Sequence, residues 1–506
     1  MKLLDKIAGT LGFQRKPVQQ MRRSYAGAQA SRLTEDWAAS LASADVEIRG
    51  GGQKLRARAR DLERNNPFVK RYLKLLENNV LGANGIGLQM KVRDPDKFDA
   101  GKIIKGALDT LANQTIEAGW SDWSRGVNCS VDGVSSWFQL QRLTLISTAR
   151  DGAAFIIFHE GQGKHGLQIQ ILEADFLRED YNDVLANGNI VRMGVEMTVD
   201  RKPVAYHFWN RHPYDYGMGA QNGIRFVRVE ASRVIHVCRR DRQGQTNGAS
   251  WLAPVMIRLQ MLNGYEEAEI TAARTAACKG GFYTHATPEG YQGPTDNLGN
   301  PTQEMQPGQF EDLPMGTNFV PLDPQHPVTA YGDFVKACLR GISSGLGVSY
   351  NSLASDLEGV NYSSIRAGLL EEREEWKNIQ TWFIETVVEP IFEAWLRMAL
   401  LSGALKMPNG SALPAAKIDK FNSPEWKPRR WPWVDPLKDM QASVLSVEKG
   451  FSSARHIIAE GGGDIEDVYS DQAADKQLAE QYGLDFPKDI QPTAPRGGSI
   501  TGQPTE

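Results

Sequence analysis

Between about residues 150 and 240 the chain changes its hydrophobic period. AAFIIF (153–158), LQIQIL (167–172), VEMTV (195–199), VAYHFW (204–209) and RVIHVC (233–238) are short runs rich in β-branched and aromatic residues. Gly, Asn-Gly or Pro separates them, which is the pattern of strands joined by turns. On either side of this block apolar residues recur at threes and fours, as on one face of a helix. A β-rich block enclosed by helices makes the fold class α+β.

The flanking helices carry their own punctuation. Asn66-Pro67 opens one, with Asn as cap and Pro at the first position, where its missing N–H leaves nothing unsatisfied. Val69, Tyr72, Leu73, Leu76 and Val80 line it, and Gly82 ends it. A second helix is expected from about Lys102 to Trp120, with Ile103, Ala107 and Leu111 on one side. A helix through Leu252, Val255, Leu259, Leu262, Ile270 and Ala273 runs to Gly280-Gly281, and another covers 331–346. Ile365, Leu369, Trp376, Ile379 and Phe383 predict a long helix reaching about Leu401, kinked or split at Pro390. Asp435-Pro436 starts one more, with Leu437, Met440, Val444, Val447 and Phe451 on its apolar face. Between the two central helices, residues 281–330 hold eight prolines, a length of loop that is functional or disordered in a folded chain.

Composition sets limits. At 506 residues, 41% apolar and 23% charged, the chain is long enough for two to four folded domains. Its net charge of −4 gives no reason to expect a nucleic-acid or membrane surface. The charge is unevenly spread. Residues 1–34 balance to +6 and residues 453–490 to −6, so the two ends are expected to face different partners. The cysteines at 129, 238, 278 and 338 have neither metal-ligand nor redox spacing, which points to a reduced, cytosolic setting. No apolar run is long enough to span a membrane, and the N-terminus lacks the apolar core of a signal peptide.

Several stretches carry residue types that can do chemistry. Gly161-Gln-Gly-Lys-His-Gly166 spells G-x-G-x-x-G, but a strand follows it, so a hairpin loop fits better than a dinucleotide site. There is no P-loop and no nucleophile elbow. His159, His165, His207 and His212 lack metalloprotease spacing and read as surface or hairpin residues. Arg56, Arg60 and Arg64 recur every four residues. Asp61 and Glu63 interrupt them, so a solvated helix face is favoured over a phosphate track, and a protein interface comes next. The pairs Glu266/Glu269 and Glu371/Glu375 each share a helix face, where carboxylates either meet water or line a negative bore. GVNYSSIRAGLLEEREEWKNIQ (359–380) gathers Tyr362, Ser363, Ser364 and several glutamates, an enzyme-like cluster. With no histidine, nucleophile elbow or metal set nearby, Asn361, Ser363 and Ser364 fit better as the capping and turn groups of a long helix.

Six stretches, in order, resemble the portal proteins of tailed bacteriophages, in the lambda-like branch. They are LRARARDLERNNPFVKRYLKLLENNVLGANGIGLQ (55–89), LQIQILEADFL (167–177), GVEMTVDRKPVAYHFW (194–209), VIHVCRRDRQGQTNGASWLAPVM (234–256), GLGVSYNSLASDLEGVNYSSIRAGLLEEREEW (345–376) and WPWVDPLKDMQASVLSVEKGFSS (431–453). Two positions depart from the family pattern: Asn247 stands where Arg is usual, and Ser349 where Pro is usual.

The resemblance implies a multidomain portal fold assembling as a closed ring, usually of twelve subunits. By position, 1–30 is a basic arm, 31–250 the wing (β-rich from about 150) and 251–280 a stem helix. The loop-rich clip is 281–330, the returning stem helix 331–346 and the tunnel loop 347–362. Residues 363–485 hold a long kinked helix and the helical crown, and 486–506 a tail. Implied partners are the terminase large subunit, the major capsid protein and scaffold, and head-completion or tail connector proteins. Double-stranded DNA passes through without sequence specificity. No catalytic residue, cofactor, metal or membrane is implied. Glu266, Glu269, Tyr350, Asn351, Ser352, Asp356, Glu358, Glu371 and Glu375 are the candidate channel-lining residues. The location implied is a capsid vertex of the virion, after assembly in the host cytoplasm. The alternatives are an enzyme with its site near 359–375, or a ring-forming connector without a packaging role.

Overall fold

The computed structural model describes residues 41–95, 97–99, 102–104, 107–215, 225–277, 281–285, 317–321, 331–359, 361–431, 436–461, 463 and 465–483. The basic arm, most of the Pro-rich insert and the C-terminal tail lie outside these residues.

Two helices lead in, α1 (Ala44–Asn65) and α2 (Pro67–Leu76). They meet at Asn66, whose side chain accepts from the Phe68 and Val69 amides, with Pro67 opening α2 as the sequence predicts. A π turn, Glu77–Leu81, continues α2 as far as Gly82, at φ +72°. Strand β1 (Gly87–Met90) follows, then a small hairpin, β2 (Lys97–Asp99) with β3 (Lys102–Ile104). The helix expected to begin near Lys102 therefore begins later, as α3 (Thr110–Trp123), capped by the Asp109 side chain. Pairing of β2 with β3 captured the residues that a helical period had claimed.

A one-turn helix, α4 (Gly126–Cys129), leads to α5 (Trp137–Asp151). The β-rich block is as the sequence reads it. Strands β4 (Ala153–Glu160), β5 (Leu167–Glu173) and β11 (Val234–Cys238) form a sheet in the order β11-β4-β5. The G-x-G-x-x-G stretch is the turn between β4 and β5, with Gly161, Gly163 and Gly166 all at positive φ. The second sheet has the order β10-β9-β8-β7-β6. Its strands are β6 (Asp183–Val184), β7 (Ile190–Arg192), β8 (Val195–Met197), β9 (Pro203–Trp209) and β10 (Phe226–Glu230). Strand β4 is buried on both faces, because successive side chains point opposite ways. Phe155 and Ile157 join Val195, Met197, Tyr206 and Phe208 in a core linking the two sheets. Ala154, Ile156 and Phe158 join the helical core instead.

That larger core is built on tryptophan. Trp120 stacks on Trp123 at 4.8 Å and meets Trp395 edge-on at 5.1 Å, with Trp137, Phe392 and Trp426 around them. Such pairs add roughly 0.5–1.5 kcal/mol each beyond the area they bury. The Trp123 indole N–H donates to the Leu167 carbonyl, tying this core to the β5 end of the hairpin.

Helix α6 (Met256–Ala277) carries the chain out of the β-rich region. Strands β12 (Gly281–His285) and β13 (Thr317–Pro321), the described ends of the Pro-rich insert, pair as a ribbon. Helix α7 (Tyr331–Leu346) brings it back. A connecting segment holding α8 (Tyr350–Ala354) leads into α9 (Tyr362–Phe383). The break expected at Pro390 is a π turn, Ile384–Val388, joining α9 to α10 (Glu389–Leu401), with Pro390 at the start of α10. A short helix, α11 (Ile418–Phe421), precedes β14 (Pro424–Lys427), which pairs with β1. The last helices are α12 (Pro436–Glu448), α13 (Ala454–Glu460) and α14 (Ile465–Tyr482).

Candidate channel-facing site

Helices α6 and α7 pack together through aromatics: the Tyr265 ring stacks on Tyr331 at 5.9 Å and meets Phe334 edge-on at 4.9 Å. Glu266 and Glu269 lie half-buried beside this contact. Burial raises the Glu266 carboxyl above its ordinary value. Burial, then the charges of Glu266 and Glu269, raises the Tyr331 hydroxyl. The two glutamates thus share one environment, as their spacing predicts.

The segment after α7 is built by local bonds. Gly347 turns the chain at φ +69°, and Ser349 caps α8 by accepting from the Ser352 amide. Glu372, buried on α9, accepts from the Ser352 hydroxyl at 2.9 Å and the Ser349 amide at 3.4 Å. The Tyr350 hydroxyl donates to Asp356 at 2.7 Å, and Arg340 lies over the Tyr350 ring. The Glu358 amide, then the Tyr350 hydroxyl, holds the Asp356 carboxyl below its ordinary range. Lys336 on α7 reaches Glu358 at 3.3 Å and Asp356 at 3.9 Å. Tyr350, Ser352, Asp356 and Glu358 are therefore tied down, while Asn351 makes no side-chain bond among the described residues.

The other acidic pair divides. Glu371 is exposed, whereas Glu375 lies 3.8 Å from Arg239, next to the end of β11. Glu374 pairs with Lys377 at 2.6 Å. Glu372, Lys336 and Arg71 all contact the segment but were not singled out from the sequence. Their partners are 20 to 281 residues away, beyond any periodicity signal. The Tyr350 and Ser352 hydroxyls donate to the Asp356 and Glu372 carboxylates, and the Ser349 hydroxyl donates to that of Ser352, so these groups fix a turn. The side chains of Tyr362, Ser363 and Ser364, the enzyme-like cluster of the sequence, lie outside the described residues.

The arginine stripe of α1 is corrected by the structure. Arg56 is buried, pairing with Asp175 and with Glu179 at 2.7 Å each. Arg60 takes Asp151 by two bonds and reaches Asp175 at 2.6 Å. Of the three, only Arg64 has the exposed setting expected of a solvated face. Burial would lower Arg56, but the Glu179 and Asp175 carboxylates outweigh it and hold it above its ordinary value. Burial would likewise raise Asp175, yet Arg56 and Arg60 keep it low. The histidines are corrected too. His165 does sit in the hairpin turn, but it is buried against Asp122 at 2.9 Å, and His207 is buried in β9. Glu173, Asp175 and His212 bring one ligand atom each within 4.8 Å of one another. The Arg60 guanidinium already bridges both carboxylates and Arg56 also pairs with Asp175, so fixed cations already serve this cluster.

Residues 30–380 match the family model "Phage portal protein, lambda family". The chain belongs to the lambda family of phage portal proteins. A "Probable portal protein" of Halomonas phage phiHAP-1 is 33% identical over 476 residues, covering 92% of this chain and 89% of that one. Portal protein B of Escherichia phage lambda is 20% identical, covering 89% and 88%. The neck of a native GTA particle, solved with C12 symmetry, contains a chain 12% identical at a TM-score of 0.42. The match covers 82% of this chain and 92% of that one. A portal protein is a structural component of the phage particle and not an enzyme. In this portal chain the polar groups of 349–358 hold a loop in shape.

Proposed function

We propose that the chain forms a closed ring, with twelve subunits the family expectation, at one capsid vertex, and that double-stranded DNA enters and leaves through its centre. The observation that carries this is the outer side of α6. Ile257 and Met261, one turn apart, are 75% and 70% exposed there. Adjacent exposed apolar side chains, unlike scattered single ones, mark a surface that a partner covers. In a ring, the neighbouring copy supplies it. The wing is then the β-rich region to about 250, the stem α6 and α7, the clip the Pro-rich insert and the crown the C-terminal helices. The tunnel loop is the segment around α8.

Charge supports transit over gripping. Each phosphate that a protein neutralises adds affinity by counterion release. The half-buried Glu266/Glu269 pair and the exposed Glu371 supply negative charge, which keeps passing DNA from adhering. Glu375 contributes less, being engaged with Arg239. The terminase motor, the capsid and scaffold proteins, and the tail connectors are the partners of such a ring, assembled in the host cytoplasm. Size-exclusion chromatography with light scattering tests the reading. It should give a particle of ten or more subunits, and a monomer at high concentration across varied salt would contradict it. Deleting residues 286–316 separates a portal from a connector without a packaging role. Rings should persist while motor docking and packaging are lost.

A further inference from the structure

We infer that Arg71, with Asn351 and Ser355, forms a contact point for a DNA backbone phosphate beside the α8 segment. The inference rests on the ring reading and adds a basic element to a path otherwise lined by acids. A groove of about 290 Å³ lies between α2, the α8 segment and the start of α9. Arg71, Ser349, Asn351, Ser352 and Ser355 line it. No acidic residue is among its lining.

Arg71 is exposed and oriented. Its Nε donates to the Ser352 carbonyl at 3.1 Å, which fixes the guanidinium plane against the segment. It has no carboxylate partner among the described residues, unlike Arg56, Arg60, Arg150 and Arg228. Asn351 and Ser355 likewise make no side-chain hydrogen bond among the described residues, so their donors are available to a ligand. Ser349 and Ser352 are engaged by Glu372 below the groove and act as its floor. An arginine fork with hydroxyl and amide donors is the usual set for a phosphate oxygen.

The groove is preformed. The Lys336 pairing with Glu358 and Asp356, together with the Tyr350–Asp356 bond, holds the segment over α7. Ser355 sits at φ +55° and ends α8 there. Lys336 is thus a positioning residue and Arg71 the contacting one. Lys70, exposed and next to Arg71 in the sequence, adds positive charge to α2.

The test is fluorescence anisotropy of a short duplex DNA with the full-length protein, from about 50 to 200 mM salt. Arg71→Ala should weaken binding to every sequence alike. It should also reduce the slope of log K against log [salt] by about 1 per engaged phosphate. Arg71→Lys should keep the slope and lose only part of the affinity. An unchanged slope in Arg71→Ala overturns the assignment, as does a wild-type protein with no measurable DNA affinity at low salt. If a neighbouring subunit fills the groove instead, Arg71→Ala lowers ring stability and leaves the slope intact, which also overturns it. Light scattering on the same samples separates the two readings. Rings with an unchanged slope sink the contact point alone, and an absence of rings sinks the ring reading together with the contact point that rests on it.

Discussion

The buried charges of the wing are where a single residue matters most. Removing Arg56 takes a cation from Glu179 and from Asp175, 6% exposed, which keeps only the Arg60 guanidinium. Breaking a buried pair from one side costs about 3–5 kcal/mol, so Arg56→Ala should lower the melting temperature by many degrees. Arg56→Lys should not rescue it, since one ammonium cannot reach both carboxylates as the fork does. A loss below about 0.5 kcal/mol would mean that water reaches these carboxylates. His236 gives a pH signature. It stacks on Phe155 at 4.5 Å, and burial pushes it down to about 4. An unfolded histidine titrates near 6.5, so below that pH the unfolded chain binds the extra proton first. Stability should fall from about pH 6.5 to about 4, by on the order of 3 kcal/mol from this residue. Asp175, whose folded carboxyl is held low, adds a further loss below about pH 4 as it protonates. Melting curves of wild type and His236→Gln over this range should diverge as pH drops. Parallel curves would show that His236 already meets solvent.

At the scale of elements, the sequence is most legible where one local device decides the outcome. Asn66-Pro67 marks the start of α2, the glycine turn marks the β4–β5 hairpin, and Pro390 marks the break before α10. It misleads where a distant partner decides. Lys102–Ile104 pair with Lys97–Asp99, and Arg56 turns inward because Asp175 and Glu179 lie some 120 residues on. Arg71 passed unnoticed for the same reason. Two substitutions probe this scale. Asn66→Ala should cost about 1 kcal/mol by leaving two amides of α2 without an acceptor. Gly152→Ala should cost more. Its φ is +92°, and an added Cβ would meet the Ala249 backbone at 2.7 Å. Urea unfolding would rank the two, and the reverse order would contradict the close approach of α5 to the chain after β11.

At the scale of the whole molecule, one subunit leaves too much apolar surface outside. Ile257 and Met261 on α6, and Leu437, Met440 and Val444 on α12, are all more than half exposed. On α12 these residues belong to the apolar face the sequence predicts. On α6, Ile257 and Met261 lie opposite the predicted face, whose Val255, Leu259 and Leu262 are buried; no described residue covers the exposed ones. The pattern told which residues share a face and could not tell what covers them. Ile257→Glu with Met261→Glu should therefore shift the protein toward smaller species without changing its far-ultraviolet circular dichroism. The most direct measurement is an image of the purified protein along its symmetry axis, at a resolution that traces helices. The account predicts a closed ring with Glu266 and Glu269 facing the central hole and Ile257 and Met261 against the next copy. An open or monomeric particle, or a ring with that glutamate pair on its outer rim, would contradict it.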